Sequence, residues 1–162
     1  MKIKTKILRA FQRFMEKERQ LLNIQANERS LTHRLAIQVE RLFPNHHVDC
    51  EYNRDGSIPK RLESFRSTIV LSDNTDGVTV YPDIIVHRRT TPENMVVIEA
   101  KSSSRAAPCI LPQDCFCDRC KLRAYRAEFH YKHSFYVIFP VRPAELAAYS
   151  DARLGDYVEE IE

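Results

Sequence analysis

Apolar positions along the chain change period several times, and each period names an element. Residues 4–24 carry Ile7, Leu8, Phe11, Phe14, Met15, Leu21 and Leu22 at spacings near three and four, which predicts an amphipathic helix. A second helix is expected over 27–43. Asn27 suits its N-cap, Leu31, Leu35, Val39 and Leu42 form its stripe, and Pro44 closes it. Glu28 lies three residues before Leu31, so it projects from the first turn on the side that meets the core. Residues 48–52 read as a short strand, followed by the turn Asn53-Arg54-Asp55-Gly56-Ser57. A further strand is expected over 67–71, then a turn at Asp73-Asn74-Thr75-Asp76-Gly77. Two strands over 78–86 and 95–101 meet at the Thr91-Pro92-Glu93-Asn94 corner.

A third helix is predicted over 117–131, with Leu122, Tyr125 and Phe129 inward. Residues 134–139 are nearly all apolar, as suits a strand covered on both faces, and 143–153 read as a last helix. Helices, then strands, then helix and strand predict one α/β domain over 1–162, a mixed central sheet flanked by helices. Its parts are a basic amphipathic helix in 1–25, a core in 26–140, and a C-terminal helix and tail in 141–162.

Composition narrows the class. With 43% hydrophobic and 29% charged residues and only three glycines, the chain has the make-up of a globular domain, and 162 residues suffice for one core. No apolar run approaches the roughly 18 residues of a membrane span, and residues 1–14 alternate charge with hydrophobe where a signal peptide needs an unbroken apolar segment. The expected compartment is the cytoplasm, with no membrane partner. Five cysteines are an odd number, and four crowd into 109–120, which points to reduced thiols. The net charge of +3 hides a cluster of Lys2, Lys4, Lys6, Arg9, Arg13, Lys17 and Arg19, opposed locally by Glu16 and Glu18. Such a face either follows a phosphate backbone or is simply solvated.

The chemistry concentrates in the strand over 95–101. Side chains alternate along it, so Glu99 and Lys101 share a face and Ala100 takes the other. Ionised groups beside Val96, Val97 and Ile98 cost several kcal/mol unless an ion or opposite charge compensates them. Asp83, between Pro82 and Ile84-Ile85-Val86, raises the same question in the neighbouring strand. Two carboxylates brought together repel, and a hard divalent cation relieves the repulsion. Magnesium is the natural candidate, with manganese as a substitute, and Lys101 is placed to orient a water or neutralise a phosphate.

Tyr81-Pro82-Asp83, fifteen intervening residues, and Glu99-Ala100-Lys101 together resemble the signature of the PD-(D/E)XK, or restriction-endonuclease-like, nuclease superfamily. The likeness extends to Glu28 in a helix ahead of the sheet, and to the element order from Glu28 to Phe139. It implies a restriction-endonuclease-like core with an extra N-terminal helix, and magnesium-dependent hydrolysis of phosphodiester bonds in DNA. By position, Asp83 and Glu99 would be metal ligands, Glu28 an accessory ligand, the Ala100 carbonyl a further ligand, and Lys101 the catalytic lysine. Specificity beyond the backbone would then come from loops, a homodimer or a protein partner.

Other features carry weaker expectations. Cys109, Cys115, Cys117 and Cys120 offer thiols for zinc or an iron–sulfur cluster, but the single residue between Cys115 and Cys117 fits those patterns poorly and no second Cys-x-x-Cys knuckle is present. His46, His47, His130 and His133 lack a nearby acid at metal-ligand spacing, and His33 lies five residues after Glu28. His87 shares a strand face with Asp83 but sits roughly 13 Å along it, too far to share a metal. Lys60 and Arg61 suit either a phosphate-gripping loop or a solvated turn, and Ser102-Ser103-Ser104 reads as a polar loop. The rival functions are a catalytically inactive nuclease-fold protein that binds nucleic acid or assembles with partners, and a module built on a cysteine-bound metal.

Overall fold

The computed structural model describes residues 1–55, 58–62, 78–106 and 117–162. The opening amphipathic segment forms two helices where one is expected, α1 (Ile3–Lys17) and α2 (Arg19–Asn23). They part at Glu18, whose carboxylate accepts hydrogen bonds from Arg34 Nε at 2.9 Å and Nη2 at 2.6 Å. This tie draws the junction onto α3 (Glu28–Glu40). Asn27 caps α3 as expected, its side-chain oxygen accepting from the Ser30 N–H at 2.8 Å. The helix stops earlier than the expected Phe43, because Leu42 and Phe43 turn back to Val39 and Glu40 in three-residue steps.

The strands are β1 (His47–Cys50), β2 (Arg54–Asp55), β3 (Ile58–Pro59), β4 (Arg61–Leu62), β5 (Val78–Thr79), β6 (Ile84–His87) and β7 (Asn94–Ser102). After α4 (Asp118–Phe129) come β8 (His133–Phe139), α5 (Pro143–Ala148), a 3-10 turn at Asp151–Asp156, and β9 (Val158–Ile161). Five strands form one mixed sheet in the order β1-β6-β7-β8-β9. Only β7 and β8 are parallel, and α4 lies on the connection between them, as a parallel pair requires. Two short antiparallel ribbons, β2 with β3 and β4 with β5, stand apart from it.

Helices cover both faces of the sheet. On one, Ile84, Val86, Val96, Ile98, Ala100, Phe135, Val137 and Phe139 pack against Ile7, Phe11 and Phe14 of α1 and Leu31, Leu35 and Val39 of α3. Full burial of each large side chain contributes about 1.5–3 kcal/mol. On the other face Ile85, Val97 and Tyr136 meet Leu122 and Tyr125 of α4. Strand alternation therefore assigns odd positions of β6 and β7 to the α4 face, and Glu99 and Lys101 fall among them.

Several expectations are corrected by this arrangement. The strand over 78–86 divides, because Pro82 has no N–H to carry a ladder across. Residues 78 and 79 pair with β4, and 84 to 87 with β1 and β7. The last helix is only Pro143–Ala148, and β9, unforeseen, closes the sheet beside β8. The expected strand over 67–71 and turn over 73–77 lie outside the described residues. Among the described residues no helix is long and apolar enough to cross a membrane.

Candidate active site

The site forms where β6 begins and β7 runs on. Ile84 pairs with Ile98 and Ile85 with Val97, so the same register places Asp83 opposite Glu99. The next residue pair would join Ala100 to Pro82. Proline offers no donor, and the Ala100 N–H instead donates to Asp83 Oδ2 at 2.8 Å. In a strand the N–H and C=O of one residue face the same edge, so the Ala100 carbonyl also points to the side where β6 has ended. Asp83, Glu99 and the Ala100 carbonyl thus border one space as a consequence of one proline.

Glu99 is 4% exposed, and its Oε1 has no hydrogen-bond partner. Burial, and then the charge of Asp83, push its carboxyl well above the ordinary carboxylate range, against the nearby Lys121 ammonium and Tyr125 hydroxyl. Asp83 is raised to about 6 by burial, against the Ala100 N–H and Lys101. Both carboxyls are thus raised above the ordinary range, burial being the first cause in each.

Lys101 and Glu28 complete the near side. Lys101 Nζ lies 3.5 Å from Glu28 Oε1 and 3.3 Å from Asp118 Oδ2. Glu28 Oε2 accepts from the Ser102 N–H at 2.9 Å, which fastens the first turn of α3 to the end of β7. Burial pulls Lys101 down, but Asp118, Glu28 and Asp83 outweigh it and leave the ammonium held above its usual value. Asp118 Oδ1 also accepts from Lys121 Nζ at 2.9 Å, and Lys121 too is raised, burial being outweighed by Glu99 and Asp118.

Asp118, Lys121 and Tyr125 were not among the expected site residues. Their spacing of three and then four puts them on one face of α4 with Leu122, and that much is visible in the sequence. What is not visible is that this face lies over Glu99.

Four acids, Asp83, Glu99, Glu28 and Asp118, surround two ammonium groups, those of Lys101 and Lys121. The carboxyl groups outnumber the ammonium groups, and the unpartnered Glu99 Oε1 is an oxygen donor of the kind a hard divalent cation takes. The fit rests on the Asp83 and Glu99 pair. Among the described residues no group of three or more His, Cys, Asp or Glu stands close enough to hold a metal ion, and Glu28 is engaged with Lys101 and the Ser102 N–H.

The remaining polar residues lie elsewhere. Lys60 is fully buried, its Nζ donating to the Tyr131 hydroxyl at 2.8 Å, and so serves neither in a phosphate-gripping loop nor in a solvated turn. His87 bonds to Asp49 at 2.7 Å, away from Asp83 as expected. His46 faces Glu93 at 3.4 Å and His133 faces Glu160 at 2.8 Å, while His130 ends α4 in a left-handed conformation. Ser103 donates to Glu145 and accepts from the Val141 N–H, a structural role.

Cys109 and Cys115 lie outside the described residues. Cys117 caps α4 and is disulfide-bonded, which corrects the expectation of reduced thiols throughout, whereas Cys50 and Cys120 are free.

Fold and site define a mixed α/β domain with a carboxylate and lysine cluster at the parting of two central strands. Comparison of the chain with protein-family models, curated proteins and solved structures returns no match.

Proposed function

We propose that the chain is a magnesium-dependent nuclease of the restriction-endonuclease-like type that hydrolyses phosphodiester bonds of DNA. The observation that carries this reading is the placement of Asp83 opposite Glu99, with a buried carboxylate oxygen lacking a partner and Lys101 one step along the same face. Asp83 and Glu99 would hold the cation, beside the Ala100 carbonyl. When bound, magnesium supplies charge neutralisation and lowers the pKa of a water.

The chain's own residues do the rest. Lys101, kept protonated by Asp118 and Glu28, offsets negative charge building on the phosphate. Glu28 fixes the height of Lys101 by anchoring the Ser102 N–H. Lys121 and Tyr125 face Glu99 from α4 and favour its ionised form against burial and the charge of Asp83. Such an enzyme would act on DNA in the cytoplasm, with specificity beyond the backbone supplied by a second copy or a protein partner.

The test is incubation with single- and double-stranded DNA and RNA in magnesium, manganese or chelator, comparing wild type with Asp83→Ala and Lys101→Ala. Metal-dependent cleavage should be present in wild type and reduced about 100-fold or more in each variant. Cleavage unchanged in either variant would remove the assigned residues from the mechanism. Faultless binding without cleavage under every metal condition would favour the noncatalytic alternative.

A further inference from the structure

An open cleft of about 940 Å³ runs from Asp83 along the N-terminal half of α3 to Arg105, and it is bordered by Arg29, His33, Arg34 and Glu51. We propose that this cleft receives the backbone of a single polynucleotide strand and leads it to Asp83, with Arg29 and Arg105 meeting its phosphates. The inference rests on the nuclease reading and adds the form of the substrate.

Size is the first argument. Clefts of about 300–1,000 Å³ enclose small molecules, or a strand a few nucleotides long. A double helix, whose major groove alone is about 12 Å across, does not enter.

Charge is the second. The Arg29 side chain is 81% exposed in its ion pair with Glu51 at 2.9 Å. An exposed pair of this kind contributes about 0–1 kcal/mol, so a phosphate, which guanidinium binds in bidentate fashion, displaces it readily. Arg105 has no side-chain partner among the described residues. Composition is the third. Among the described residues no Phe, Tyr or Trp lines the cleft and His33 supplies its one aromatic ring, so recognition falls chiefly on the sugar-phosphate chain.

The test is fluorescence anisotropy in chelator, where the proposed cleavage is off. The probes are oligothymidylate and oligouridylate of about a dozen residues, with a duplex of the same length. Two phosphate contacts on a single strand predict a log–log salt slope near −1.4, a loss of about 7-fold in affinity between about 50 and 200 mM salt. Arg105→Ala should weaken binding and reduce that loss to about 3-fold, and Arg29→Ala should do the same. Replacing Lys2, at the N-cap of α1, and Lys4 within it by alanine should leave both quantities unchanged.

Binding of either single strand supports the proposal, and the preferred sugar identifies DNA or RNA as the source. Equal or tighter duplex binding overturns it, as does an unchanged salt slope in the Arg105 and Arg29 variants, or a slope carried by Lys2 and Lys4. Cleavage dependent on Asp83 and Lys101 without this binding would leave the nuclease reading standing and remove the cleft. Salt-dependent strand binding without cleavage would do the reverse.

Discussion

Asp83→Asn should stabilise the protein at alkaline pH in the absence of divalent metal. The folded state raises the Asp83 carboxyl from 3.8 to about 6, chiefly through burial. An acid raised in this way favours the fold while protonated. Its contribution is fully present below about pH 4 and is lost as pH rises through about 6. At about 1.36 kcal/mol per pKa unit, the rise corresponds to about 3 kcal/mol withheld from wild type at pH near 8.

Asparagine mimics the protonated acid in shape and keeps an oxygen for the Ala100 N–H, now bonded at 2.8 Å. It also removes the charge against which Glu99 ionises. The variant should therefore exceed wild type by about 3 kcal/mol at pH near 8, or about 6–12 °C in Tm for a chain of this size, and converge with it below about pH 4. Urea unfolding in chelator at acid, intermediate and alkaline pH measures this directly. A variant less stable than wild type at pH near 8, or a difference that does not grow with pH, would refute the claim that the Asp83 carboxylate is strained by burial. Added magnesium should narrow the gap by stabilising wild type alone, through preferential binding to its native state.

Two further outcomes probe the scaffold that places the site. Asn27→Ala removes the acceptor for the Ser30 N–H and should cost about 1 kcal/mol in urea unfolding, with a parallel loss of order at Glu28 read from amide exchange of Ser102. Phe14→Ala deletes a fully buried ring 5.1 Å from that of Phe139 and should cost about 3–5 kcal/mol, measured by the same unfolding series.

How far the site was legible differs residue by residue. Glu99 and Lys101 share a face because strand alternation is local, whereas the break that Pro82 makes in the ladder next to Asp83 was missed, the segment 78–86 being read as one strand. Glu28 follows from its place in a capped first turn. Asp118, Lys121 and Tyr125 could be put on one helical stripe, but the partner of that stripe depends on how α4 crosses the sheet between two parallel strands. The division of the opening helix at Glu18 was hidden for a similar reason: its cause is Arg34, sixteen residues away. Nor did any local pattern distinguish the buried Lys60 from a solvated lysine, since its partner Tyr131 is seventy-one residues distant.

By itself, then, the sequence determined the helical and strand periods, the faces their side chains take, and the residues available for chemistry, because these depend on spacings of a few residues. Only the tertiary structure decided that Asp83 stands opposite Glu99, that Asp118 and Glu28 bracket Lys101, and that β9 closes the sheet. Those relations are set by packing and strand register between segments far apart in the chain, where the free energy of burial rather than local geometry selects the partner.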